Sequence, residues 1–198
     1  GNLSDEKLRD VAAHEQVKMF EIKLSQGAKP GKGGILPGAK VTAEIAAIRG
    51  IPKGSDSISP NRHVEVDDWN GMLDLIGHIR TVTGKPVGFK TVVGSDVPFR
   101  ELLDLIKERG IDCAPDFITI DGGDGGTGAA PMPLMDLVGL SVREALPILA
   151  KLLREYGMKD QIRLIAAGKL VNPSDVAWAL AAGAEFVTSA RGFMFSLG

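Results

Sequence analysis

Cysteine is nearly absent: the 198 residues hold one, Cys113. One thiol forms no internal disulfide and builds no zinc or iron–sulfur centre by itself. Cys113 is expected to be a packed residue at the start of a strand, in a chain suited to a reducing cytoplasm. An excess of positive charge is also missing, with 23 Lys and Arg against 25 Asp and Glu. Nothing neutralises a phosphate backbone, so nucleic acid is excluded as a partner. No apolar run approaches the ~20 residues that cross a bilayer. No signal-peptide pattern opens the chain. No membrane contact is expected within this segment. The 3 histidines fall apart in sequence, and no spacing suggests a metal site or a Ser/His/Asp arrangement. No linker and no repeat divides the chain, so residues 1–198 read as one domain.

Glycine is abundant, with 25 residues. The glycines cluster at a few loops, which suggests backbone shaped for a ligand. Between the loops the periodicity alternates. Ser4 caps a helix with Leu8, Val11 and Ala12 on its apolar stripe. Met19 to Ser25 alternates as a strand. A Gly/Pro loop, Gln26 to Gly38, precedes a helix over Val41 to Arg49, closed by Gly50. Ser55 to Arg62 is irregular and contains at most a short strand. Asp67 to Thr83 is amphipathic and helical, Pro86 to Val93 a strand, Pro98 to Glu108 a helix, and Asp116 to Asp121 a strand. Ser141 and Glu144 form a capping box, but Pro147 predicts a kink or a start nearer Leu146. Arg163 to Ala167 is a strand. A helix from Asn172 to Gly183 follows, then a strand from Glu185 to Ala190, then a last helix from Phe193.

Alternating strands and helices imply parallel βα units. The roughly five strands are fewer than the eight of a closed barrel. The expected fold is a TIM-type (β/α)8 barrel, present as a partial barrel lacking its first strands. An open doubly wound sheet is the main rival.

Four constellations carry chemistry. Gly168-Lys169 and Ala190-Arg191 end two successive strands before helices, as in the phosphate site that barrels often build after strands seven and eight. Arg191 adds a charged donor. Asp121-Gly122-Gly123-Asp124-Gly125-Gly126-Thr127-Gly128 follows an apolar strand and lets backbone approach a flat or anionic ligand. It lacks the Gly-Lys-Ser/Thr of a Walker A loop and the spacing of an EF-hand. Lys90 lies inside a strand, opposite in direction to Phe89, so it points into the barrel mouth if Phe89 packs under the helices. There a cation can stabilise negative charge on a ligand. Glu21 and Lys23 share a strand face, with Gln26, Lys29 and Lys32 following on the loop and Arg49 and Arg62 downstream. Several cations near one loop suit a dicarboxylate, although Lys32 reads best as solvated. His63, after the Ser59-Pro60 turn, is placed to contact substrate. His14 and His78 read as ordinary helix residues.

The stretch Glu21 to Gly34 with Leu36-Pro37-Gly38, together with Asp124-Gly125-Gly126-Thr127-Gly128-Ala129, resembles the FMN domain of glutamate synthases. Ser59-Pro60 and the Lys90 strand match in the same order. The resemblance implies an FMN-dependent oxidoreductase that reduces the imine of 2-oxoglutarate and ammonia to glutamate. It implies a glutaminase domain or subunit and an electron-donor protein as partners. It also implies an iron–sulfur cluster whose cysteines lie beyond Gly198, and early barrel strands before residue 1, so this segment alone is expected to be inactive. On this resemblance Lys23 and Lys90 are the candidate catalytic residues. Gln26, Lys29 and Arg49 fall at substrate positions, and Arg62 and His63 join them. Lys90, Asp121, Gly122, Gly125, Gly126, Thr127, Gly168, Lys169, Ala190 and Arg191 are the candidate cofactor residues. Three departures stand out. Ile35 replaces a glutamine that helps bind the oxoacid, Asn61-Arg62-His63 replaces prolines and paired histidines, and Gly123 replaces a histidine. Two further readings remain open. One is a phosphate-ligand barrel without redox chemistry, an isomerase or a lyase. The other is an altered relative acting on another oxoacid or amine, or serving as a sensor.

Overall fold

A computed structural model describes residues 3–198. Five parallel strands form the main sheet: β1 (Phe20–Lys23), β4 (Val87–Thr91), β5 (Phe117–Asp121), β6 (Arg163–Ala167) and β7 (Phe186–Val187), in the order β1-β4-β5-β6-β7. An antiparallel ribbon, β2 (Ile35–Leu36) with β3 (Ser57–Ile58), stands apart between β1 and β4. The helices are α1 (Asp5–Ala13), α2 (Ala43–Arg49), α3 (Trp69–Thr83), α4 (Val97–Arg109), α5 (Val142–Glu155), α6 (Pro173–Ala182) and α7 (Arg191–Leu197). Strand order follows chain order without reversal. A doubly wound sheet has a switch point where the order reverses; this sheet has none, so it is a segment of a singly wound barrel.

Alternation explains which side is buried. Ile22, Val87, Phe89, Ile118, Ile120, Leu164 and Ala166 pack outward into one core with the helices. The helices present matching stripes, such as Met72, Leu73, Ile76 and Ile79 of α3 and Phe99, Leu102, Leu103 and Ile106 of α4. The opposite strand face, with Glu21, Lys23, Lys90 and Thr119, turns toward the barrel axis. Among the described residues, no helix is long and apolar enough to cross a membrane.

Helix ends follow the side chains that satisfy their free amides. Ser4, Thr42, Asp68, Ser141 and Asn172 each accept from a first-turn N–H. Three expectations are corrected here. α5 runs from Val142 through Pro147, not from near Leu146. Proline deletes one internal hydrogen bond, but the Ser141–Glu144 capping box and a face of seven buried residues hold the first turns in place. β7 covers only Phe186–Val187, not Glu185 to Ala190, and pairs with β6. Cys113 is partly buried, in a short 3-10 turn ahead of β5 rather than in a strand.

Candidate functional site

The carboxy-terminal ends of the sheet strands open into a cavity of ≈ 760 Å³. Gln26, Lys90, Asp121, Gly125, Gly126, Thr127, Gly168, Lys169, Ala190 and Arg191 all line it. Five segments that are far apart in sequence thus meet in one place. Gly122 is the exception among the expected cofactor residues. It lies behind the wall, where an added Cβ would come within 2.6 Å of the Val142 amide nitrogen. Its role is to let the loop close against α5.

Close approach of backbone shapes the phosphate end. A Cβ on Gly125 would lie 3.2 Å from the Gly168 Cα. Gly168 has φ +99° and Lys169, with no glycine's freedom, has φ +54°. A non-glycine residue held there costs about 1 kcal/mol or more, a strain found where ligands are clamped. Arg191 Nη2 donates to the Gly125 carbonyl at 2.6 Å, joining the loops after β5 and β7. The start of α6 contributes less than the sequence suggests. The amides of Val171 and Asn172 donate to the Asp175 carboxylate, at 3.0 and 3.2 Å. Those bonds, Val171 first, hold the Asp175 carboxyl below its ordinary value. The amides left for an anion are those of the Gly168-Lys169 turn and the Ala190 turn. Asp124 has one buried carboxylate oxygen with no hydrogen-bond partner. It sits by the amino terminus of α5, where the helix dipole favours a negative charge.

A second cavity of ≈ 610 Å³ lies beside the first and shares Gln26 with it. Lys23, Lys29, Lys32, Arg62 and His63 line it. Their states differ. Arg62 pairs with Asp67 at 3.3 Å, and His63 Nδ1 lies 2.8 Å from Glu65. Lys29 is 7% exposed, and no ion pair or hydrogen bond engages its Nζ among the described residues. A Cβ on Gly34 would lie 3.6 Å from that Nζ and 4.0 Å from Ser59 Oγ. The Lys29 stem is packed while its Nζ opens to the second cavity without a partner, so Lys29 marks a place for an anion. Arg49 lines neither cavity. Its Nη1 donates to Ser57 Oγ at 3.0 Å. Of the expected substrate residues, Arg49 is the one not brought to either cavity.

The joint between the cavities is rigid. Gly27 N–H donates to Asp121 Oδ2 at 2.9 Å, and a Cβ on Gly27 would fall 2.0 Å from the Gly122 carbonyl oxygen. Val92 N–H donates to Ser25 Oγ at 2.8 Å. Lys23 Nζ donates to Gln26 Oε1 at 3.1 Å. The Lys23 amine is pushed below its ordinary value, first by burial, then by Lys90 and Lys29, against Asp121 and Glu21. The side chain is largely exposed, which moderates that shift.

Thr119 escapes the sequence reading, which placed Glu21 on its strand face without a partner. Glu21 and Thr119 both line the first cavity, and Thr119 Oγ1 donates to Glu21 Oε2 at 2.6 Å. The signal was available: Thr119 is the polar residue between Ile118 and Ile120, on the same strand face as Asp121.

Fold and site define this class of protein: a segment of a β/α barrel whose strand ends hold a glycine-lined anion cradle beside a buried cationic pocket. The conserved region in glutamate synthase matches residues 11–198, and the chain belongs to the glutamate synthase family. It is 46% identical over 198 residues to the glutamate synthase large subunit-like protein YerD of Bacillus subtilis (strain 168), covering all of this chain and 37% of that one. It is 40% identical over 181 residues to the archaeal glutamate synthase [NADPH] of Methanocaldococcus jannaschii, covering 90% of this chain and 34% of that one. The chain thus spans about a third of the length of these relatives. Among solved structures, a mutant flavocytochrome b2 with benzoylformate superposes with TM-score 0.58 at 16% identity, over 96% of this chain and 40% of that one. At that identity the likeness concerns the fold.

Proposed function

We propose that this chain carries the flavin and oxoacid sites of a glutamate-synthase-type oxidoreductase, which reduces the imine of 2-oxoglutarate and ammonia to glutamate. The observation that carries the reading is one crevice with two ends joined at Gln26. One end is a glycine-lined cradle with Lys90 at its floor. The other holds Lys29, buried and unpaired.

The residues fit FMN. The amides of the Gly168-Lys169 and Ala190 turns with Arg191 suit its phosphate. The flat surface of Gly125, Gly126 and Thr127 suits a ring system, and Lys90 offers a positive charge to it. When bound, FMN supplies a hydride. Lys29 binds an oxoacid carboxylate and orients it. Lys23 holds its proton less tightly than an ordinary lysine and delivers it from Nζ toward a substrate nitrogen or oxygen at the cavity junction. Ammonia from a glutaminase domain or subunit, electrons from a donor protein, an iron–sulfur cluster and a cytoplasmic setting complete the proposal for the full-length protein.

A second reading, another oxoacid, is favoured by Ile35. Its side chain cannot hydrogen-bond, and it pairs across the ribbon with Ile58, both exposed. The test is the absorption spectrum of the full-length protein, reduced and then given oxoacid with ammonium. Reoxidation of a flavin band only with 2-oxoglutarate and ammonium together supports the first reading. Reoxidation with a different oxoacid supports the second. A colourless protein that takes up no FMN removes both and leaves a phosphate-ligand barrel.

A further inference from the structure

The carboxylate of Glu21 reaches across the sheet. Glu21 is on β1, yet its Oε2 accepts from Thr119 Oγ1 on β5 at 2.6 Å, and β4 separates those two strands. The register places Gly88 of β4 beside Glu21, so the intervening strand has no side chain at that level. A Cβ at Gly88 would strike the Phe117 ring at 2.6 Å and the Phe117 carbonyl oxygen at 2.2 Å. The glycine is therefore required by packing against Phe117. Thr119 is 2% exposed. Its hydroxyl proton is committed to Glu21, as a buried hydroxyl requires. With Oε2 fixed in this way, Oε1 lies 3.8 Å from Lys90 Nζ. Carboxylate, ammonium and hydroxyl come from three adjacent strands, and all line the first cavity.

We propose that Glu21 is a positioning residue, anchored by Thr119, that holds the Lys90 ammonium at the cavity floor and balances its charge. Lys90 then meets a ligand as half of an ion pair rather than as a free cation. One of the two tests below rests on the flavin reading, and the other does not.

The first test uses the full-length protein without cofactor. Lysines are acylated with acetic anhydride, and the rate at each is mapped by mass spectrometry. Glu21→Gln keeps an acceptor for Thr119 and removes the charge. Lys90 is expected to react at least threefold faster in that variant, while Lys85, held by the Val17 carbonyl, keeps its rate. Thr119→Val loosens the carboxylate without removing its charge, and an intermediate rise is expected. Unchanged Lys90 rates in both variants would overturn the proposal. Should Glu21→Gln fail to fold, the Thr119→Val rate decides. The second test reads the midpoint potential of bound FMN. Glu21→Gln is expected to raise it, because an unbalanced Lys90 favours the more negative, reduced form. In a Lys90→Met background the same substitution should leave it unchanged, since the effect passes through Lys90. Equal shifts in both backgrounds would overturn the proposal. If the wild-type protein takes up no FMN, the flavin reading fails, and the acylation rates alone decide the role of Glu21.

Discussion

Lys29 and Lys23 lie six residues apart and do opposite things with their charge. Lys29 is buried with no counter-ion, so its charge awaits a ligand. Replacing it with methionine removes an uncompensated charge and keeps the bulk. Lys29→Met is expected to weaken oxoacid binding at least tenfold, the worth of a charge-assisted hydrogen bond at about 1.5–3 kcal/mol. FMN affinity should stay within twofold. Calorimetric titration of the full-length protein with each ligand checks both. Lys23 is shifted downward by burial and by the neighbouring Lys90 and Lys29. A lowered value means that the proton leaves at lower pH, so the neutral amine accumulates below the range of ordinary lysine. The acylation rate of Lys23 should accordingly rise at lower pH than that of a lysine model peptide. Lys90→Met removes a like charge and should move the profile back upward. A profile that coincides with the peptide's would remove Lys23 as a proton donor.

At the scale of elements, the loop after β1 and the glycine loop after β5 are locked face to face by Gly27 and Asp121. A methyl group on Gly27 has nowhere to go, because its neighbours are backbone. Gly27→Ala is expected to cost about 1–3 kcal/mol through overpacking, with a lowered melting temperature and weakened binding of both ligands. The phosphate end tests differently. Arg191→Ala frees the Gly125 carbonyl and removes a charged donor. FMN affinity is expected to fall about tenfold or more while riboflavin affinity, with no phosphate at stake, is unchanged. Equal losses for both would place the effect in the loop rather than in the phosphate. Caps and stops were the most legible signals at this scale. Ser141, Asn172, Gly50, Gly84 and Gly183 bound helices where side-chain chemistry predicts them. Pro147 does not set the start of α5, because the capping box and the buried face hold the turns before it.

For the molecule as a whole, the two cavities make a single prediction. Both are lined by loops at the carboxy-terminal strand ends, where barrel chemistry gathers. Saturating FMN should protect the amides of residues 122–128 and 168–169 from hydrogen exchange in the full-length protein, and an oxoacid should protect residues 26–34. Protection of both segments by one ligand would show that the crevice works as a single site. The sequence by itself determined the alternation of strands and helices, the helix caps, the inward direction of Lys90 and the glycine loops, because each depends on neighbours within a few residues. Only the tertiary structure decided that Gly122 supports the wall and that the Gly27 amide meets Asp121. It also decided that Glu21 reaches Thr119 across β4. These facts depend on distances between strands and loops far apart in the chain, and local pattern holds no record of them.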